Sequence, residues 1–134
     1  MEKNWSLRDA FAYFGARATN PRWSWSARST DGETVVLTWW LDEISRDDAG
    51  KLVRDERNHP RFSVWNKLPG NKDRIKNLAW ARAHCEGLFR VVWIKSKDRR
   101  AIPRYAATRY PDPKLWMRLT YLDEQTGEFA AVEK

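Results

Sequence analysis

The sequence predicts an α+β fold: a curved, mainly antiparallel five-stranded sheet, open or partly closed into a barrel, packed by two or three helices. Three observations predict it. Hairpin signatures flank the clearest helical segment on both sides, so antiparallel pairing should dominate. Residues 33–41 and 88–97 are dense in β-branched and aromatic side chains. The chain is 134 residues long, which fits one domain over 1–134.

Each element has a local reason. Ser6 and Asp9 form a capping-box-like start. Leu7, Ala10, Phe11 and Phe14 make one helical stripe that stops at Gly15, so a helix is expected over 6–14. Asn20-Pro21 breaks the chain. Residues 22–28 alternate, and as a strand they would put Trp23 and Trp25 on one face with Arg22, Ser24 and Ser26 on the other. Asp31-Gly32 is a hairpin turn. The strand after it, 33–41, is apolar on both faces and is expected to be central. Residues 43–69 read as a long polar connection, with a weak helix to about 57 and a short edge strand at 61–65. Residues 71–86 are the clearest helix: Ile75, Leu78, Ala79 and Cys85 lie on one side, while Lys76, Trp80 and His84 form a second stripe expected to pack under the 43–69 segment. A strand at 88–97 leads into a loop kept irregular by Pro103, Pro111 and Pro113. Strands at 115–122 and 128–132 form a hairpin around Gly127.

Two features of composition stand out. Lys and Arg number 25 against 18 Asp and Glu, a net charge of +7, and there are nine Trp. The charge is local. Residues 70–118 hold thirteen basic and four acidic groups, a net of +9, while residues 1–42 are neutral and residues 119–134 carry −3. The densest stretch, 95–114, is Arg-rich, and guanidinium matches phosphate geometry. Trp39 and Trp93 lie in apolar strands and belong to the core. Nine indoles exceed what a core of this size hides, so others must line a surface or a pocket.

Several classes are excluded. So many aromatics oppose disorder. No run of about 18 apolar residues offers a membrane span, and the N-terminus lacks the apolar core of a signal peptide. Cys85 is the one cysteine, so no intrachain disulfide scaffold is available, and a cytoplasmic location is expected. With one Cys and two His, zinc-finger ligation fails and no metal or cofactor is expected. Cys85 adjoins Glu86, which opposes thiolate formation. The histidines lack nucleophile or metal spacing, and Pro111-Asp112-Pro113-Lys114 lacks the strand of a two-carboxylate nuclease. No catalytic residues are assigned, which leaves a metal-dependent hydrolase as a remote option.

The segments 20–27, 32–39, 81–92 and 117–127 resemble small bacterial proteins and the segment preceding the HNH nuclease domain in McrA-like enzymes that restrict modified DNA. This chain has no HNH half. The resemblance implies a stand-alone module that senses modified DNA.

The residues themselves point to a nucleic-acid-binding module. Lys97, Arg99, Arg100, Arg104 and Arg109 would hold phosphates. Trp23, Trp25, Trp40 and Trp65 would stack on bases or line a pocket for a flipped, modified base, with Arg22 and Arg28 as phosphate donors beside the first pair. Nucleic acid is the expected partner, DNA ahead of RNA. The alternative is a protein-interaction module using the same Trp and Arg anchors on a partner or a second copy.

Overall fold

The computed structural model describes residues 4–20, 22–96 and 106–134. Ser6 caps the first helix, α1 (Leu7–Ala12), its hydroxyl accepting the Asp9 N–H at 3.1 Å. Strands β1 (Ala16–Arg17), β2 (Ser26–Ser29) and β3 (Val35–Trp40) follow, then a 3-10 turn at Leu41–Glu43. Next come β4 (Ser45–Arg46), β5 (Leu52–Asp55), α2 (Phe62–Trp65) and the long helix α3 (Pro69–His84). The chain closes with β6 (Leu88–Ser96), β7 (Ala106–Pro111), β8 (Met117–Leu122) and β9 (Phe129–Glu133).

The fold is α+β with an open sheet. Among the described residues, nine strands run in the order β1-β2-β3-β6-β8-β9-β5-β4, with β7 also paired to β6. Every pairing is antiparallel except β3 with β6, where Val36 meets Arg90 and Trp40 meets Ile94. Strand β6 is the junction. Leu88 and Phe89 pair with β8, while Val92 to Ser96 pair with β7 on the same edge. One edge therefore feeds two strands, and the sheet divides there into two wings.

The five expected strands are thus nine, and the differences have local causes. Where a helix to about 57 was expected, residues 45–55 form the β4–β5 hairpin. Asp47 Oδ1 accepts the N–H groups of Ala49 and Lys51, and Gly50 takes a positive φ of 80°, so the backbone turns back. Strand β5 then gains a ladder with β9. The expected edge strand at 61–65 is instead the helical turn α2. The expected loop before residue 114 contains β7, whose final residue is Pro111, where a missing N–H is tolerated. The strand expected at 22–28 begins only at Ser26. The Asn20 carbonyl accepts the N–H groups of both Trp23 and Ser24, so the chain is still turning there. Trp23 and Trp25 consequently enter different hollows, described below.

Period-two alternation divides the core. Val35, Leu37, Trp39, Val91 and Trp93 pack with Leu78 and Ala81 of α3 in one cluster. Val36, Val92 and Ala27 pack with Ala10 and Phe11 of α1 in the other. Trp39 and Trp93 stack with ring centroids 4.9 Å apart. The central position expected for β3 holds. Helix α3 is rotated from the expected stripe: its buried residues are Gly70, Asn71, Arg74, Asn77, Leu78 and Ala81, with Ile75 only half-buried. Trp80 packs against the β2–β3 turn rather than the 43–69 segment. Its indole donates to the Gly32 carbonyl at 2.7 Å, and a Cβ on Gly32 would lie 2.9 Å from the ring.

This rotation makes an expected contrast. Leu78→Ala should lower unfolding free energy by about 2–5 kcal/mol, and Ile75→Ala by less than half of that, as read by urea denaturation of the two variants.

Candidate functional site

The carboxyl ends of the parallel pair β3 and β6 open into a cavity of about 130 Å³. Its aromatic lining is Trp25, Trp40 and Trp65, and its polar lining includes Arg54, Glu56 and Arg74. Each side chain has a local positioning device. Thr38 holds the Trp25 carbonyl through its N–H at 2.9 Å and its hydroxyl at 3.0 Å. Trp40 ends β3, in register with Ile94. Trp65 ends α2, where Phe62 meets it edge to face at 5.0 Å. Trp25 and Trp65 themselves meet at 6.5 Å and 86°.

Helix α3 supplies the cation. Gly70 and Arg74 are four residues apart and share one face. At Gly70 the helix backbone lies directly against Trp25: a Cβ there would come within 2.4 Å of the indole. Only glycine fits beneath that ring. One turn later, the Arg74 guanidinium lies 5.0 Å from Trp25, 5.1 Å from Trp65 and 5.0 Å from Phe129. Arg74 is 5% exposed, and its Nε is buried with no hydrogen-bond partner. Burial pushes its pKa down to about 9, helped by the nearby Arg54 charge and opposed by Glu56 and Glu43. It therefore remains a cation at neutral pH, held largely by aromatic faces.

The second guanidinium is paired with a carboxylate. Arg54 donates to Glu56 at 2.8 Å and to the Thr38 carbonyl at 2.8 Å, with the two side chains 4% and 6% exposed. His59 completes the rim. Its Nδ1 accepts the Arg61 backbone N–H at 2.9 Å, which places the ring proton on Nε2, 3.0 Å from Glu43 and 3.6 Å from Glu56.

The donor atoms of Glu43, Glu56 and His59 lie within 4.8 Å of one another, a spacing that could hold a metal ion. The chemistry opposes that use. Glu56 is engaged by Arg54, the facing nitrogen of His59 carries a proton, and Arg54, Arg61 and Arg74 line the same cavity. What the arrangement offers instead is stacking faces, guanidinium donors and carboxylate acceptors around a space of one small ring. For scale, a dry cavity of about 150 Å³ holds a benzene molecule.

Of the residues expected from the sequence, Trp25, Trp40 and Trp65 meet in this cavity. Trp23 and Arg28 line a separate groove with Lys72 and Lys76. Arg22 is exposed and lines neither. Arg109 sits in β7 opposite Ile94, which lines the cavity, but Arg109 itself lines neither. Lys97, Arg99, Arg100 and Arg104 lie outside the described residues. Arg54, Glu56, His59 and Arg74 were not anticipated. The i,i+4 pair Gly70–Arg74 was the one local signal for Arg74.

Cys85 is a packing residue. Its thiol faces the Gly32 carbonyl at 3.6 Å, and burial pushes its pKa up. No protein-family model, curated protein or solved structure matches the chain.

Two outcomes are expected. Glu56→Ala strands the buried Arg54 charge and should cost about 3–5 kcal/mol of stability by chemical denaturation. Cys85 should alkylate with iodoacetamide more slowly in the folded protein than in urea at the same pH, because its thiolate is disfavoured.

Proposed function

We propose that this protein is a nucleic-acid-binding module that seats one unpaired base in the Trp25–Trp40–Trp65 cavity, with DNA ahead of RNA and a modified base as the favoured occupant. The observation that carries the reading is the buried Arg74 guanidinium, packed against the Trp25 and Trp65 rings in the wall of the cavity. A flat ring seated in the cavity would stack on the indole faces and present its edge acceptors to the lining guanidinium groups.

The charge balance narrows the ligand class. Glu43 and Glu56 disfavour an anion inside the cavity, while Arg54, Arg61 and Arg74 disfavour a cation. A neutral planar heterocycle with both donors and acceptors on its edge suits both sets. Nucleobases have this chemistry: guanidinium pairs with ring and carbonyl acceptors, and carboxylate accepts from an exocyclic amine. The cavity admits a base only outside the duplex stack, so a flipped or single-stranded base is the form it would take. The DNA preference and the modified base rest on the resemblance to the segment preceding HNH nucleases. The local charge of residues 70–118, at a net of +9, supports a polyanionic partner.

The test is a panel of single-stranded, duplex and base-modified oligonucleotides titrated at 50 and 200 mM salt, read by Trp fluorescence. Binding should fall steeply with salt. Trp40→Ala should cost about 1–3 kcal/mol of affinity, the worth of one stacked base, and Arg74→Met should remove the preference among bases while leaving the fold intact. Salt-independent binding, or none to any oligonucleotide, would sink the reading. Self-association of a chain that binds no oligonucleotide would favour the protein-interaction alternative.

A further inference from the structure

A second hollow lies on the other side of the 23–25 segment, between α3 and the chain from Arg17 to Arg28. It has a volume of about 490 Å³, and Arg17, Thr19, Trp23, Arg28, Lys72 and Lys76 are among its lining residues. We propose that this groove is the track for a phosphodiester backbone whose base occupies the Trp cavity. The proposal rests on the nucleic-acid reading and deepens it by naming where the phosphates run.

The cations are placed for an external partner. Lys72 and Lys76 are exposed and one helical turn apart, about 5–6 Å between Cβ atoms, a spacing comparable to that of successive phosphates. Among the described residues, neither they nor Arg17 has a carboxylate within ion-pair distance. Arg28 is preset: its Nε donates to Asn77 at 3.2 Å, and its guanidinium lies 4.2 Å over Trp80. That arrangement aims a planar cation at the groove while fixing its rotamer. Among the described residues, the groove's one lining carboxylate is Asp73, which accepts from the Thr19 hydroxyl at 2.7 Å and faces Ser26 at 3.5 Å, so it braces the wall. The track also continues. Arg17 and Thr19 line an adjoining hollow of about 610 Å³ that reaches Arg8 on α1.

The groove and the cavity share one wall. Trp23 lines the groove and Trp25 the cavity, two residues apart, at most about 7 Å of extended chain. Pro69 borders the groove, and Gly70 carries the Trp25 ring. A nucleotide with its base against Trp25 thus has its own phosphate within reach of the cations, and the half-buried Trp23 ring offers a stacking face to the next residue of the strand.

The experiment measures the slope of log affinity against log salt for a fluorescent single strand, the matching RNA and the duplex, using the full chain. Five proteins are compared: wild type, Lys72→Ala/Lys76→Ala, Arg17→Ala, Trp40→Ala, and Lys51→Ala/Arg118→Ala as a control pair of exposed cations away from the groove. Wild type should bind with a steep slope. Removing two phosphate contacts should flatten it by about 1.4 for single strands and about 1.8 for duplex, with affinity lost equally across sequences. Arg17→Ala should flatten it by about half as much. The control pair and Trp40→Ala should keep the wild-type slope. Matching thermal melts confirm that each variant is folded. An unchanged slope in the Lys72/Lys76 variant overturns the track while the Trp40→Ala result still stands for the base site. Equal flattening in the control pair also overturns it, since the surface then acts as a diffuse polycation. Absence of wild-type binding overturns the track and the functional reading together.

Discussion

The site depends on two guanidiniums taken out of water at one end of the sheet. Arg54 and Arg74 are 4% and 5% exposed, and both lie beside Phe129 at 5.0 Å. Desolvating a cation costs several kcal/mol unless something replaces the water. Arg54 is repaid in the usual way, by a carboxylate and a carbonyl. Arg74 is surrounded by π faces. Trp25 and Trp65 are therefore held where the guanidinium needs them, and the cavity they border is the space left between those rings and Trp40. Gly70 is required for the same reason: the helix must come close enough to bring Arg74 under the indoles, and no side chain can intervene.

The polar docking of α3 follows. A helix whose inward face carries Arg74, Asn77 and Asn71 cannot seat on an apolar surface alone. Asn77 donates to the Ser26 hydroxyl at 2.7 Å, Asn71 donates to the carbonyls of Asn66 and Thr126 at 2.9 Å, and Trp80 donates to Gly32. Leu78 and Ala81 supply the apolar contact between these bonds. The helix is thereby fixed in rotation and height, which aligns Lys72 and Lys76 with one groove and Arg74 with the cavity. Directional bonds set orientation in a way that hydrophobic contact, which is non-directional, does not.

Much of the fold was legible locally. The Ser6 cap, the Asp31-Gly32 turn, the central β3 strand and the final hairpin each depend on a few neighbouring residues, and each was found where expected. The strands at 45–46 and 52–55 were not, because β5 exists through pairing with β9, nearly eighty residues away. The helix stripe was misjudged for a related reason. Apolar periodicity favours Ile75 and Ala79 as the buried face, but Arg74 and Asn77 take that place through partners on β2 and around the cavity.

The sequence by itself determined the class of protein and its raw materials: an α+β chain, a positive charge concentrated in one third of its length, and more indoles than a core can hide. These are sums over the chain, and they need no partners in space. Only the tertiary structure decided how the materials are shared out. It sent Trp23 to a basic groove and Trp25 to a cavity, because the turn at Asn20 interrupts the alternation that would have put them together. It also placed Glu43, Arg54, Glu56, His59 and Arg74 around one space, since burial and charge pairing are properties of residues brought together by folding, and spacing along the chain does not encode them.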